Sequence, residues 1–194
     1  MHDIEPYFKW KAYYDSATDK QSPFYAREYS EFTFSNKVYN YFIHPQWDYI
    51  GSPTLYAKSL FVDYDDGYAI IELIGEWNDC LNNDVMFLKR HFADSLIKNG
   101  IYKYIIACDN VLNFHGSDGD YYEEWWDDIK DDGGWICLLN TLDHVLDEME
   151  KTRLQYYCNI GDRFCDINWR KKNPHNVLQE VSQIMNSNIK QIQY

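Results

Sequence analysis

Within its 194 residues the sequence has no apolar run long enough to span a membrane. Its first residues, Met-His-Asp-Ile-Glu-Pro, have neither the positive charge nor the apolar stretch of a secretory signal. Internal repeats and low-complexity tracts are also missing. These absences predict no membrane-spanning helix and no export, and they favour one large domain or one domain with an elaboration.

Positive charge is scarce in this chain. Eighteen Lys and Arg stand against 31 Asp and Glu, which gives a net charge of −13. Between Asp109 and Asp132, nine acidic residues accompany a single basic one, Lys130. Such a surface repels phosphate backbones and anionic lipid headgroups, so the sequence argues against binding to nucleic acids or to membrane surfaces. It predicts instead a basic protein partner.

The cysteines show no pattern of a disulfide framework or of a metal site. There are five of them, no Cys-x-x-Cys pair occurs, and no Cys/His pair recurs at the spacing of metal ligands. Cys108 and Cys137 lie inside apolar runs, which is typical of small buried hydrophobic residues in a reducing compartment. The sequence therefore predicts a cytoplasmic protein with no metal and no cofactor.

The strongest pattern in the chain is a strand, a turn, a helix and a second strand between Tyr68 and Asp109. Two short runs rich in β-branched and aromatic residues, Tyr68–Ile74 and Tyr104–Cys108, predict buried strands. Between them, a polar turn over residues 75–83 precedes a helical pattern over residues 84–98. The apolar stripe of that helix is Val85, Leu88, Phe92 and Leu96. A crossover helix of this kind predicts a right-handed βαβ unit with parallel strands.

Upstream of this unit the sequence predicts an antiparallel meander. Two β-prone segments occupy residues 29–34 and 38–43, with Asn36-Lys37 as their turn. A hairpin then joins residues 55–64 to the first strand of the βαβ unit, because Asp65-Asp66-Gly67 supplies the glycine that a short turn requires.

Downstream, the sequence predicts a loop, three helices and one or two further strands. The loop covers residues 110–119, and a helix over residues 120–130 turns acidic residues outward. A strand at residues 135–139, a helix beginning near Leu142 and a short strand within residues 158–168 follow. Asn173-Pro174 opens a final helix. The predicted fold class is α/β, a mixed sheet in which an antiparallel meander leads into a parallel βαβ core. Residues 1–22 are predicted to form a partly ordered arm, and residues 23–194 one α/β domain.

Two short motifs add a family resemblance. The segment Ile71-Glu-Leu-Ile-Gly-Glu-Trp-Asn-Asp79 resembles the Gly-Glu-Leu-Asp turn after the second strand of STAS domains, the family of anti-sigma factor antagonists and sulfate-transporter tails. Residues 105–119, with Phe-His-Gly-Ser-Asp-Gly at 114–119, resemble the strand that follows and its Asp-Ser-Ser-Gly turn. The order of elements agrees as well, and the resemblance covers about residues 60–157.

The resemblance implies a non-enzymatic regulatory or protein-binding module. Ser117 occupies the place of the serine that is phosphorylated in the family, where a phosphate on the docking surface abolishes the complex. The sequence departs from the family at Gly116, which stands in place of Asp, and at Asp118, which stands in place of a second Ser. The predicted partner-binding or regulatory residues are Asn113, His115, Ser117, Asp118, Asp120, Glu124, Asp127 and Asp128.

Two alternatives remain open from the sequence alone. The first is a small enzyme that uses the same acidic loop, either with a hard cation or by acid/base chemistry. Candidate oxygen ligands are Asp109, Asp118, Asp120, Glu123 and Glu124, and candidate general acids or bases are Glu72, Glu76 and Asp79. The second alternative is a structural protein that forms a homodimer through an exposed strand of the meander.

Overall fold

The structure, a computed structural model, describes residues 4–189. The first three residues of the predicted arm and the last five of the predicted domain lie outside this range. The strands are β1 (Lys37–Val38), β2 (Tyr41–Phe42), β3 (Asp48–Tyr49), β4 (Leu55–Asp63), β5 (Tyr68–Asn78), β6 (Lys103–His115) and β7 (Trp135–Leu139). The helices are α1 (Asp79–Asn82), α2 (Asp84–Leu88), a π-helical turn (Lys89–Ala93), α3 (Asp94–Ile97), α4 (Asp120–Lys130), α5 (Asp143–Lys151) and α6 (Pro174–Ile189). Within residues 4–189, no helix is long and apolar enough to cross a bilayer.

A five-stranded mixed sheet forms the centre of the molecule, in the order β3-β4-β5-β6-β7. The pairs β3–β4 and β4–β5 are antiparallel, whereas β5–β6 and β6–β7 are parallel. Ile71 lies opposite Ile106, and Ile70 lies opposite Ile105. The predicted α/β fold class and the parallel βαβ core are therefore confirmed.

Both faces of the sheet are covered. On one face, Ile71 and Leu73 pack with the buried sides of α2, α3, α4 and α5. On the other face, Ile70 and Ile105 pack with α6 and with Trp10 of the N-terminal segment. Because β5 is buried on both sides, it reads as a continuous apolar run rather than an alternating one.

The predicted helix over residues 84–98 is present but is not regular. It begins as α2, widens into the π-helical turn and ends as α3. The predicted stripe of Val85, Leu88, Phe92 and Leu96 is buried throughout. The π-helical turn also contains Lys89, of which only 1% is exposed. Single π-helical turns within α-helices are frequent at functional sites.

The two central strands are longer than predicted. The segment predicted as a turn, residues 75–83, begins with strand as far as Asn78, and the predicted loop over residues 110–119 begins with strand as far as His115. The physical reason is the pair Trp77 and Phe114, which lie opposite each other, are both 1% exposed and have ring centroids 5.9 Å apart. Burying these two rings extends the ladder past the polar residues between them.

A tight backbone approach shapes the end of β5. Gly75 has φ of +117°, and a Cβ there would lie 2.0 Å from the Thr54 carbonyl oxygen. That carbonyl accepts a hydrogen bond of 2.9 Å from the Glu76 N–H. Glycine is therefore required at this irregularity of the sheet.

The predictions for the flanking strands were wrong in three places. Residues 29–34 form no strand, because Phe32 there is 87% exposed and has no sheet face to cover. The ribbon β1–β2 turns at Tyr39, with φ of 52°, and not at the predicted Asn36-Lys37. The predicted strand within residues 158–168 amounts to one isolated bridge between Asn159 and Cys137.

The N-terminal segment from residue 4 packs against the sheet and the C-terminal region. The Tyr7 N–H donates to Glu72 Oε2 at 2.8 Å. Trp10 is 2% exposed, and its Nε1 donates to the Lys172 carbonyl at 2.9 Å.

Asp79 is buried where β5 gives way to α1. It accepts hydrogen bonds from the Tyr122 hydroxyl at 2.6 Å, the Val85 N–H at 2.8 Å and Trp77 Nε1 at 3.1 Å. Burial raises the pKa of Asp79 to about 6, although its hydrogen-bond donors favour the charged form. The carboxyl group thus joins α1, α2 and α4 at the cost of a buried charge above that pH.

The substitution Asp79→Asn is expected to change how stability depends on pH. The folded-state pKa of Asp79 is about 6, above its ordinary value of 3.8. Between these two pH values the wild type takes up a proton on folding, so its stability falls as pH rises through this window to 6. The loss is about 3 kcal/mol, at 1.4 kcal/mol per pKa unit. Urea denaturation of wild type and variant from pH 3.5 to 7.5 measures it, and their difference should be flat outside the window. An exposed control, Asp118→Asn, should keep the wild-type profile, and an Asp79→Asn profile parallel to that of wild type would contradict the prediction.

Candidate functional site

The predicted site loop is shorter than expected. Asn113 and His115 belong to β6, where they pair with Glu76 and Asn78. Only residues 116–119 connect β6 to α4. The expectation that Asn113 and His115 lie on a loop was therefore wrong, for the reason given above for the longer strands.

The connecting loop is closely packed beneath its surface. A Cβ on Gly116 would lie 2.6 Å from Thr152 Cγ2, and one on Gly119 would lie 3.0 Å from Tyr157 Cε2. The cavity under the loop has a volume of only about 10 Å³, close to the minimum for one water molecule. The polar side chains of the loop therefore face the solvent, and Ser117 and Asp118 are exposed.

Two of the predicted acidic residues, Glu124 and Asp128, form ion pairs with basic residues of this chain. The buried ammonium of Lys89 lies 2.6 Å from Asp128 Oδ2, 2.6 Å from Asp94 Oδ1 and 3.3 Å from Glu124 Oε1. Burial alone would lower the pKa of Lys89, but its hydrogen bonds to Asp128 and Asp94 raise it above the ordinary value. Arg90 lies 2.7 Å from the same Glu124 oxygen. Glu124 and Asp128 thus hold α4 against the π-helical turn.

The remaining predicted acidic residues stay at the surface. Asp127 is exposed and forms an ion pair with Lys130, three positions further along α4. Asp118 and Asp120 are exposed and have no ion-pair partner among residues 4–189. The hydroxyl of Ser117 makes one long contact of 3.4 Å, to the Asp118 carbonyl.

The structure does not bring the candidate metal ligands together. No group of three or more His, Cys, Asp or Glu within residues 4–189 has the geometry of a metal site. Asp109 is separated from the loop because it lies in the middle part of β6. Its carboxylate is held there by Trp169, Arg170 and Asn140.

An ionic cluster of Arg170, Glu72 and Asp109 lies at the carboxyl end of β7 and was not predicted from the sequence. Arg170 lies 2.7 Å from Glu72 Oε1 and 2.6 Å from Asp109 Oδ1. Glu72 is 1% exposed, and burial raises its pKa although the Tyr7 N–H and Arg170 oppose the rise. The cluster borders a cavity of about 240 Å³ that also touches Asn140. One guanidinium therefore compensates two carboxylates and joins β5, β6 and the C-terminal region.

The known proteins that resemble this chain are found among solved structures. No family model matches the chain. No curated protein matches it either. A solved structure from Thermotoga maritima, described as a candidate anti-sigma factor antagonist, is similar with 15% sequence identity and a TM-score of 0.42. The match covers 63% of this chain and 91% of that one.

Removal of Arg170, the cation shared by Glu72 and Asp109, should destabilise the protein, because the buried Glu72 carboxylate then lacks a counter-charge. The substitution Arg170→Met leaves Glu72 without its counter-charge and is expected to lower the free energy of unfolding by about 2 kcal/mol. This is less than for a fully enclosed pair, because 37% of the Arg170 side chain is exposed. Chemical denaturation at pH 7 measures the difference.

The control for this prediction is Lys171→Met. Lys171 is the exposed neighbour, has no ion pair among residues 4–189 and should cost less than about 0.5 kcal/mol. Adding Glu72→Gln to Arg170→Met should recover part of the loss, since the buried group is then neutral. Equal losses for Arg170→Met and Lys171→Met would contradict the role given to the cluster.

Proposed function

We propose that this chain is a non-enzymatic protein-binding module that docks a basic partner beside the loop connecting β6 to α4. The docking face consists of Leu81, Ser117, Asp118, Asp120 and Asp127. The observation that carries the proposal is an exposed leucine in α1, a helix in contact with the loop, together with exposed carboxylates in the loop and in α4 over a closed interior. Interfaces typically combine such an apolar anchor with a polar rim.

Two contacts hold α1, the helix that contains Leu81, against the loop and against the start of α4. Cys80 Sγ lies 2.8 Å from the Gly116 carbonyl, so α1 is adjacent to the loop. Asp79 accepts from the Tyr122 hydroxyl at 2.6 Å, so α1 is also adjacent to the first turn of α4. Leu81 lies in the same short helix and is 83% exposed. A leucine presented in this way is a suitable anchor for a partner.

Most of the charge of the docking face comes from carboxylates without an ion pair in the described residues, since only Asp127 is paired there, with Lys130. Asp118 and Asp120 have no cation beside them in the described part of the chain, unlike Glu124 and Asp128. Unpaired acidic residues attract a basic surface and reject an acidic one, which affects the rate of association and the choice of partner more than affinity.

An enzyme that uses the same loop is less well supported. The cavity of about 10 Å³ below the loop has no room for a substrate. A partner surface, in contrast, needs only the exposed side chains described above.

Regulation at Ser117 is part of the proposal. Its hydroxyl is exposed and weakly held, which suits a modification site. A phosphate there adds a charge of about −2 beside Asp118. Because the docking face is acidic and the partner basic, we expect the phosphate to strengthen the complex, opposite to the abolition that the family resemblance implies.

We place this module in the cytoplasm. All five cysteines are free thiols, and Cys108, Cys137 and Cys158 are buried. Unpaired cysteines in this number are typical of a reducing compartment.

A second candidate function is self-association through the ribbon β1–β2. Three aromatic residues of this ribbon, Tyr39, Tyr41 and Phe42, are 58%, 58% and 38% exposed. An exposed strand with aromatic side chains is suited to pair with a second copy. Light scattering coupled to size exclusion tests this candidate, because Phe42→Ser should convert a dimer into a monomer.

Charge reversal on the docking face should release the partner. The double variant Asp118→Lys/Asp120→Lys is expected to weaken binding of a captured partner by about 10-fold, and Leu81→Ser by a similar factor through loss of the anchor. Ser117→Asp should tighten binding. Affinity capture with the wild type identifies the partner, and titration of that purified partner gives the dissociation constants.

The matched control is Asp65→Lys/Asp66→Lys. These two exposed acidic residues lie in the hairpin before β5, at the opposite end of the sheet from the docking face. The control should leave the dissociation constant unchanged. If both double variants weaken binding equally, the effect is one of net charge and the docking face is wrongly placed.

A further inference from the structure

A cavity of about 440 Å³ lies between the N-terminal segment and β4 and shares no residue with the docking face. Cavities of roughly 300–1,000 Å³ are typical of sites for small molecules. The aromatic side chains of its lining are Tyr7, Phe8, Tyr14, Tyr29 and Phe32. Such a lining suits a ligand that contains a small ring of its own.

The charged residues of the lining favour a neutral ligand. Its acidic members are Glu5, Asp15 and Glu31, and its basic members are Lys11 and Lys58. The excess of acids repels a carboxylate or a phosphate, and the two basic side chains disfavour a cation. A neutral aromatic molecule meets neither obstacle.

Lys58 places a primary amine in the wall of this cavity. Its side chain is 15% exposed, and its Nζ lies 3.3 Å from Asp48 Oδ2 and 3.7 Å from the centre of the Tyr29 ring. Asp48 also pairs with Arg27 at 3.1 Å. Burial lowers the pKa of Lys58, although Asp48 and Asp15 oppose the fall. More of this amine is therefore neutral, and so nucleophilic, than in an exposed lysine at the same pH.

Lys89 shows the contrast with a buried lysine that is fully paired. Its Nζ donates to Asp128 and Asp94, each at 2.6 Å, and these bonds outweigh burial and raise its pKa. Lys89 does not line the cavity. Lys58 differs in both respects, because its pKa is lowered and its amine adjoins space for a ligand.

The groups around the Lys58 amine are compatible with a reaction at the nitrogen. Glu72 lies opposite Lys58 in β5, but its carboxylate is bound by Arg170 at 2.7 Å. Asp48 of β3 remains the nearest acid, and a protonated imine keeps the positive charge that Asp48 pairs with. The other charged or titratable groups near the amine or in the cavity wall are Lys11, Asp15, Arg27, Tyr29 and His44.

We propose that the Lys58 amine forms a reversible imine with small neutral aromatic aldehydes that enter this cavity. The Nζ lone pair attacks the carbonyl carbon, and the π pair of the carbonyl moves to its oxygen. Both protons of the neutral amine then leave with that oxygen as water, and a carbon–nitrogen double bond remains. The ring of the aldehyde packs among Tyr7, Tyr14 and Phe32. No residue of the docking face takes part, so the reaction is independent of partner binding.

Reductive trapping tests the proposal. Benzaldehyde at about 1 mM with sodium cyanoborohydride, at a pH of about 7.5, converts an imine into a stable benzylamine, which peptide mapping by mass spectrometry locates. We expect Lys58 to be labelled about 10-fold faster than Lys11, which lines the same cavity, because each unit of pKa changes the neutral fraction of an amine tenfold. Lys89 should stay unlabelled.

Two other aldehydes test the ring and the charge. Propanal lacks the ring, and 4-formylbenzoate adds a negative charge to it. Both should label Lys58 with a smaller preference over Lys11 than benzaldehyde does, since one loses the aromatic contacts and the other meets the excess of acids.

The variant Lys58→Arg removes the amine but keeps a cation beside Asp48. It should lose the fast-labelled site while its melting temperature stays near that of the wild type. In the wild type, the labelling rate of Lys58 should reach its plateau at a lower pH than that of Nα-acetyl-lysine amide. The matched control Lys11→Arg should leave the labelling of Lys58 unchanged.

Three results would overturn the proposal. The first is that benzaldehyde labels Lys58 no faster than Lys11. The second is that propanal or 4-formylbenzoate shows the same preference for Lys58 as benzaldehyde, since the cavity would then not select the aldehyde. The third is that the labelling of Lys58 has the pH profile of the model amide, since the amine would then behave as an exposed one. The last two readouts use the wild type, so they hold even if Lys58→Arg does not fold.

Discussion

The parallel pairing of β5 with β6 is the constraint on which the other parts of this structure depend. Both strands are buried on both faces, so neighbouring side chains point alternately into two separate cores. Ile71 belongs to the core covered by the helices that follow β5, and Ile70 belongs to the core covered by α6 and the N-terminal segment. A shift of one residue would exchange the two sets, so the register also fixes where the charged residues of these strands lie.

Much of this core could be predicted from the sequence, because it depends on local patterns. Short β-branched runs identified β5, β6 and β7, and helical periodicity identified α4 and the stripe of Val85, Leu88, Phe92 and Leu96. The lengths of the central strands could not be predicted. Trp77 and Phe114 are separated from the apolar runs by polar residues, and only their contact across the sheet shows that the strands continue. The irregular turn at Lys89 was hidden for the same reason, since its ion pairs join different helices.

In the candidate sites, too, the features that depend on neighbouring residues could be predicted, whereas contacts between residues distant in sequence could not. The glycines and polar residues at 116–120 marked a surface loop, because turn formers act locally. The partners of the acidic side chains were not visible, since Arg170 lies 98 residues from Glu72 and 61 from Asp109. In each case the side chain was present in the sequence, but its neighbours were set by the sheet.

The N-terminal segment has a consequence for how the chain reaches its final form. Tyr7 and Trp10 make contacts with Arg170 and Lys172, which are 163 and 162 residues away. Closing so long a loop is entropically unfavourable until the intervening sheet has formed, so these contacts belong to the last steps of folding. On the ribosome, Tyr7 is made long before Arg170, and the sheet face around Glu72 stays uncovered during most of synthesis. The nascent protein is therefore exposed to aggregation and to chaperones on this face until its C-terminal region emerges.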